Sequence, residues 1–550
     1  MRLTFRTAQA PLLATALLAA AACTATRSEG PVAGREPGAP ARPATWVGSG
    51  TVFQYAVPVQ RPDGKTVQAY LWVPPAAERI RGLVVGGTIL SEGHIASHPE
   101  VRAACARAGL GIVLFTPHLD AVFNATASAP VLERTLADLA AVSGMPELAQ
   151  APLLPFGHSV GTIWTRNLLF WNPGRMIGGI FYKGGFGIPE GRALAELDGI
   201  PLLHVQGRFE EFGPASDGRL RPEQGEDRST GGRTAMAQLS ALRAERPDFL
   251  MGLLVEEGAT HYALNEPVAR VIAAYIEAAA RLRLDPAGGT APVVGARGVV
   301  VPGTDLFAPA SATTGTGFWY PDTEVADRVA AMHRGAGREP QFVSAADAKG
   351  NPRKVAHDMR LPIQPDWTGP GEFRARAAFW TVVPDLYPGR GASAAHAATP
   401  PQVAIFGGPV EAVGEDRFRI TMDVRLGDRI FLTAWHPGDE RFRWAEQSMN
   451  IRTPAVLTKG ASQAIAVALP QRLPRSALPM PLSATASSGL PVSWYVDHGP
   501  ARVIDGRLEL ADLPQRATGT VPVRIVATQY GDAVAKIASA TAAATILLDP

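Results

Sequence analysis

The sequence predicts an α/β fold, a mostly parallel sheet with helices on both faces, followed by β-rich accessory domains. Three observations carry this expectation. Continuous apolar runs alternate with helical patterns between residues 82 and 283, as strands buried on both faces require. After about Arg283 the chain passes through "LDPAGGTAPVVGARG", which reads as a linker. From about residue 470 it is almost wholly short strands separated by Gly, Pro and Asp.

The elements follow in order. "TVFQYAVPV" and "TVQAYLWV" flank the turn sequence "QRPDGK", which predicts a hairpin. "GLVVGGTIL" (82–90) leads to a helix over 98–108, and "GIVLFTP" (111–117) to one over 130–143. "PLLPFG" (152–157) leads to a helix over 160–171. Three more apolar runs follow: "MIGGIFYKGG" (176–185), "PLLHVQG" (201–207) and "FLMGLLVEEG" (249–258). The last helix begins near 266, where Val268, Val271, Ile272, Tyr275 and Ile276 form one stripe at three- and four-residue steps. Residues 300–465 are β-leaning, with strands expected at "QVAIFGG", "FRITMDV" and "RIFLTAW". Residues 470–550 predict a small β-sandwich.

A chain of 550 residues calls for several domains. Arg2 and Arg6 precede an apolar stretch, Pro11 to Ala22, and a zone of small residues, so residues 1–22 read as an export signal. That stretch is too short to span a bilayer. Residues 23–48, rich in Pro, Gly and Ala, read as a flexible tether before an α/β domain over 49–285. "LLAAAAC" resembles a bacterial lipoprotein lipobox, which implies lipidation of Cys23, although Ala20 stands where such boxes usually carry leucine. The alternative is cleavage near Ala22, leaving a soluble secreted protein. The expected location is therefore exported, as a periplasmic or outer-membrane lipoprotein or a secreted protein, with any membrane attachment through Cys23 alone.

Composition narrows the function classes. Apolar residues make up 46% and charged residues 19%, a globular balance. The formal charge of +2 and the lack of a basic stripe interleaved with aromatics argue against a nucleic-acid partner. With Cys23 lipidated or removed, Cys105 has no disulfide partner. It reads as a small buried apolar group in a helix.

The chemistry centres on "LLPFGHSVGTIWTRNLLFW" (153–171). A Gly-x-Ser-x-Gly arises by chance about 0.3 times in a chain this rich in glycine, so context decides. Here an apolar strand precedes Ser159 and a helical pattern follows it. That turn raises the serine at the strand's end, Gly157 and Gly161 let strand and helix approach, and the N–H of Val160 faces a developing oxyanion. A base and an orienting acid should follow in the order acid, then histidine. "PLLHVQGRFEEFG" carries Glu210 three residues past Gly207, with Glu211 next to it; "FLMGLLVEEGATHYALN" carries His261. The second oxyanion donor is expected in "GGTILSEGH", at Thr88, with its neighbour Ile89 as the alternative. His158 is expected to shape the pocket rather than ionise, and Trp164 and Trp171 to be core. His94 and His98, at i and i+4 without a third ligand, are expected near the acyl pocket rather than on a metal.

Residues 49 to about 283 resemble the α/β-hydrolase fold family, with strand, elbow, acid loop and histidine loop in sequence. "APLLPFGHSVG" and "HPGD" (436–439) are similar to stretches of exported bacterial hydrolases, and "SATASSGLPVSWYVDHGPARV" resembles bacterial immunoglobulin-like modules. The resemblance implies a catalytic domain with a Ser-His-acid triad, an acyl-enzyme and no cofactor, the acid being Glu210 or Glu211 where Asp is commoner. The expected activity is an exported serine esterase. The accessory domains favour a bulky ester substrate, such as an esterified polysaccharide or a polyester. A serine peptidase or amidase and a catalytically vestigial surface-binding protein are the alternatives. Residues 208–248 are expected to fold partly over the site.

Overall fold

The computed structural model describes residues 48–88, 91–207, 230–256, 259, 261–262, 264–286, 288–291, 293, 298–304, 313–333, 338–353, 360–384 and 391–550. For residues 230–237, 302–304, 313–316, 333 and 360 it describes the backbone alone. The export signal, the tether, Cys23, Ile89 and both candidate acids, Glu210 and Glu211, lie outside the described residues.

The expected hairpin forms from β1 (Tyr55–Gln60) and β2 (Thr66–Trp72), paired antiparallel. Six strands follow: β3 (Gly82–Gly87), β4 (Leu110–Thr116), β5 (Leu153–His158), β6 (Gly179–Tyr182), β7 (Leu202–Gly207) and β8 (Met251–Glu256). They make one eight-stranded sheet in the order β1-β2-β4-β3-β5-β6-β7-β8, parallel from β4 to β8. Every residue of β5, β7 and β8 is buried, which explains why these strands read as unbroken apolar runs. The connecting helices are α1 (Glu92–Ser97), α2 (Pro99–Ala108), α3 (Ala129–Ser143), α4 (Gly161–Trp171), α5 (Thr230–Glu245) and α6 (Glu266–Arg283). They cover both faces, α2 packing beside α6 while α4 lies over β5 and β6. This strand order and layering is the α/β-hydrolase arrangement.

Local signals explain the ends of these helices. The side chain of Asn265 caps α6 by accepting from the Val268 N–H at 3.1 Å, with Pro267 in the first turn. Gly109 and Gly144 end α2 and α3 in the left-handed conformation. The sequence reading held no helix between β7 and β8. α5 is hidden there by two glycines in its first turn and a weak apolar stripe, "TGGRTAMAQLSALRAE".

The accessory region is built onto the α/β domain rather than beside it. A hairpin of Val299–Thr304 and Thr313–Tyr320 lies over β8, where the Tyr320 hydroxyl donates to the Leu253 carbonyl at 2.6 Å. A Cβ on Gly252 would meet the Trp319 carbonyl at 2.8 Å, so glycine permits that approach. A helix, Thr323–His333, packs on α6. One four-stranded sheet follows in the order Arg360–Ile363, Ala445–Ile451, Phe431–His436, Gln402–Gly407. A second runs Asp366–Gly369, Glu372–Arg374, Arg417–Ile420, Val410–Ala412. Their apolar residues are continuous with those of the eight-stranded sheet in a single core. The last segment forms a four-stranded and a three-stranded sheet around a second core that includes Leu473, Val496, Leu508, Val523, Ile525 and Ile546. Among the described residues, no helix is long and apolar enough to cross a membrane.

All three parts meet at Arg425, whose side chain is 1% exposed. It pairs with Asp423 at 2.8 Å and donates to the Thr51 carbonyl at 2.8 Å and more weakly to the Asp497 carbonyl at 3.4 Å. The Thr116 hydroxyl at the end of β4 donates to the Arg425 carbonyl. Removing one member of a buried pair strands the other charge, at a cost of about 3–5 kcal/mol. Arg425→Ala should therefore lower the thermal midpoint markedly, whereas the double variant Arg425→Met/Asp423→Leu should recover much of the loss. An unchanged midpoint in Arg425→Ala would show that the joint carries no stability.

Candidate active site

The strand β5 ends in the turn that carries Ser159, and the turn is strained. Ser159 has φ of +56°, a left-handed conformation that costs a non-glycine residue about 1–3 kcal/mol. Packing holds it there. The Ser159 N–H donates to the Tyr182 carbonyl on β6 at 3.0 Å, and the Thr162 N–H donates back to the Ser159 carbonyl at 3.0 Å. A Cβ on Gly157 would stand 2.1 Å from the Gly161 carbonyl oxygen, so the first glycine of the motif is a steric necessity. Val160 caps α4, and its N–H belongs to the helix turn whose amide groups lack intrahelical partners.

The oxyanion side departs from the first choice made on sequence. The Thr88 N–H donates to the Phe115 carbonyl at 2.8 Å, extending the ladder between β3 and β4, and its hydroxyl donates to the Pro117 carbonyl at 2.6 Å. Thr88 is therefore engaged by its own sheet, which leaves the alternative, Ile89, outside the described residues. A small cleft beside the elbow is lined by Gly87, Glu92, His118, Phe156, Gly157 and Trp164.

His158 is wholly buried beneath the elbow. Its Nδ1 accepts from the Ser91 N–H at 3.1 Å and lies 2.7 Å from the Ser91 hydroxyl, so the ring proton belongs on Nε2. Its main-chain N–H donates to Glu92 at 2.7 Å. Burial drives its pKa well below the usual histidine range, and the neighbouring His261 and Lys183 push it the same way. A neutral, buried ring with Nδ1 engaged by Ser91 fits the expectation that His158 shapes the pocket.

His261 lies in the loop after β8, and its ring sits 4.9 Å from that of His158, next in sequence to Ser159. The structure thus brings the expected nucleophile and base to one edge of the sheet. The loop is held from outside the α/β domain. Tyr262 stacks on Phe431 at 6.0 Å with 5° between the rings, and the Ser448 hydroxyl donates to the Tyr262 carbonyl at 3.1 Å. Gly207, at the end of β7, pairs in register with Glu256.

The structure adds a group that the sequence reading did not single out. Lys183, immediately after β6, pairs with Glu256 at 2.8 Å, and both side chains are fully buried. The Tyr182 hydroxyl donates to the same carboxylate at 3.3 Å, and the Asn265 amide donates to its other oxygen at 2.7 Å. Burial pushes the Glu256 carboxyl up to about 7; Lys183 opposes that rise and Glu446 adds to it. A signal was present: with six lysines among 52 basic residues, one in the apolar run "FYKGG" is conspicuous.

The remaining candidates have structural roles. His94 is buried edge-on to Phe406, 5.8 Å away, so it packs against the accessory sheet. His98 caps α2 through the Glu100 N–H at 3.2 Å and faces Glu266 at 3.6 Å. Cys105 is buried in α2, and desolvation raises its thiol to about 12, as an inert apolar role requires. Trp164 is core, and Trp171 is partly buried against the same cluster.

Two outcomes follow from this geometry. Gly157→Ala should remove the reactivity of Ser159 toward a fluorophosphonate probe, because the new methyl group displaces the start of α4; undiminished labelling would contradict the steric assignment. A carboxyl whose pKa is raised on folding contributes stability that is full below its unfolded value and is lost as pH rises through the folded one. Wild type should thus lose stability relative to Glu256→Gln between about pH 4.5 and 7, as read from melting curves. A difference that stays flat across that window would exclude the titration.

No family model matches the chain, and no curated protein matches it. Among solved structures, LpqC, a poly(3-hydroxybutyrate) depolymerase from Bordetella parapertussis, is 18% identical; the match covers 42% of this chain and 89% of that one, with a TM-score of 0.29. XC6422 from Xanthomonas campestris, described as an α/β serine hydrolase without a lid, is 15% identical over 42% of this chain and 94% of its own, with a TM-score of 0.26. An S-formylglutathione hydrolase from Agrobacterium tumefaciens is 16% identical over 42% and 95%, with a TM-score of 0.27. Likenesses at this level leave the activity to be argued from the site itself.

Proposed function

We propose that the protein is an exported serine hydrolase that cleaves carboxylic esters. One arrangement supports the reading: Ser159 occupies a strained strand-to-helix elbow, and His261, in the loop after the last strand of the sheet, has its ring 4.9 Å from that of His158, the residue before Ser159. In this mechanism Ser159 attacks the ester carbonyl while His261 takes its proton. The tetrahedral oxyanion is held by the Val160 N–H and by a second N–H from the loop after β3, at Ile89. His261 then returns the proton to the departing alcohol, and water enters by the same route to hydrolyse the acyl-enzyme. Glu210 or Glu211 stabilises the imidazolium from the segment after β7. Export rests on the first 22 residues, and retention at a membrane on lipidation of Cys23.

The packing of the accessory sheet against Tyr262 supports a role for residues 300–465 in the site rather than in a detached module. A bulky ester, such as an esterified polysaccharide or a polyester, remains the substrate class proposed, with an activity screen over acyl lengths and sugar esters to identify it.

A fluorophosphonate should label wild type and not Ser159→Ala, and p-nitrophenyl acyl esters should turn over faster than aminoacyl anilides. Ser159→Ala and His261→Ala should each lower kcat/KM by about 10⁴-fold or more. Wild type that neither labels nor turns over any ester would refute the reading, and a preference for anilides would make the enzyme an amidase.

A further inference from the structure

The loop that presents His261 runs from Glu256, the last residue of β8, to Asn265, the cap of α6. Its two ends are tied directly, by the Asn265 amide donating to Glu256 Oε1 at 2.7 Å. Asn265 has no freedom to turn over. Its oxygen accepts from the Val268 N–H at 3.1 Å, which leaves the amide nitrogen to face Glu256.

The other side of the carboxylate is held as firmly. Glu256 Oε2 takes the Lys183 ammonium at 2.8 Å and the Tyr182 hydroxyl at 3.3 Å. Tyr182 also holds the elbow. The Tyr182 carbonyl accepts the Ser159 N–H at 3.0 Å, and the Tyr182 ring stands edge-on to His158 at 5.2 Å. The Lys183 N–H donates to the Val205 carbonyl at 2.7 Å, so the lysine's backbone is anchored on β7. Tyr182 therefore holds the Ser159 turn through its main chain, and Tyr182 and Lys183 hold the His261 loop through their side chains.

A fully buried ion pair is poor economy for stability alone, since apolar residues of similar volume commonly do as well or better. What an apolar pair lacks is direction. A carboxylate offers two oxygens at fixed angles, one here for each side of the site. Lys183, Tyr182 and Asn265 together engage both oxygens, so the carboxylate is held from two sides.

We propose that Glu256 is a positioning residue of the hydrolytic site: gripped by Lys183 and Tyr182, it pins Asn265 and so fixes the His261 loop relative to Ser159. The inference rests on the serine-hydrolase reading above. Displacing a reacting group by about 1 Å costs on the order of 100-fold in rate, which sets the effect expected.

The test uses the full chain and two substitutions. Glu256→Gln keeps the side-chain shape but removes the charge that grips Lys183. Asn265→Ser keeps a cap for α6 but shortens the side chain, so that it no longer spans to Glu256. Each should lower kcat on a p-nitrophenyl ester by about 10- to 100-fold, slow fluorophosphonate labelling of Ser159 in parallel, and leave KM within about twofold. Melting curves report folding. If Glu256→Gln does not fold, Asn265→Ser decides. A folded variant with wild-type kcat and labelling rate overturns the proposal, as does a loss matched by the unfolded fraction alone. Wild type that fails to label fells the hydrolase reading itself, which is a different result from labelled wild type with indifferent variants.

Discussion

Arg425 sits out of water where the α/β domain, the accessory sheets and the C-terminal sheets converge, and its guanidinium donates to backbone carbonyls of Thr51 and Asp497 while pairing with Asp423. A buried cation without these partners would be prohibitively costly, so each part of the chain must supply its share for any of them to settle. The same face carries further ties. The Tyr70 hydroxyl donates to Asp497 at 2.9 Å, and the Trp72 indole donates to Asp512 at 2.8 Å. Both ties start from β2, so the C-terminal sheets are fixed to the hairpin β1-β2.

On the opposite edge the accessory region does comparable work for the site. The hairpin over β8 covers that edge strand, and the sheet carrying Phe431 and Ser448 supports the histidine loop through Tyr262. A side chain on a loop gains its precision from what packs against the loop, and here the packing comes from more than 160 residues further along the chain. Below the loop, the Lys183–Glu256 pair and the capping Asn265 set its ends, while His158, neutral and buried, fills the space beside the elbow.

Legibility followed the range of the interactions. The hairpin turn "QRPDGK", the unbroken runs of β5, β7 and β8, and the stripe of α6 were all readable because each depends on neighbours within a few residues or on burial of a whole segment. The elbow was readable for the same reason: Gly157, Ser159 and Gly161 lie within five residues, and their steric relation is local. α5 was not, since its glycines weaken the helical pattern and its packing on the sheet must make up the difference. The helix Thr323–His333 was missed in a region that otherwise reads as β.

The oxyanion choice shows the boundary most sharply. A loop after β3 was expected from the sequence to supply a donor, but which residue supplies it depends on which N–H the neighbouring strand has already taken. For Thr88 that partner is the Phe115 carbonyl on β4, 27 residues away. Sequence by itself determined the fold class and the order of strand, elbow and the loop that carries His261, because periodicity and turn chemistry are local. Tertiary structure alone decided that Lys183 meets Glu256 and that Phe431 supports Tyr262. It alone decided that Arg425 joins three parts of the chain. Hydrogen bonds and ion pairs between distant segments leave no periodic trace, and whether a polar side chain is partnered or exposed is settled only when the chain has folded around it.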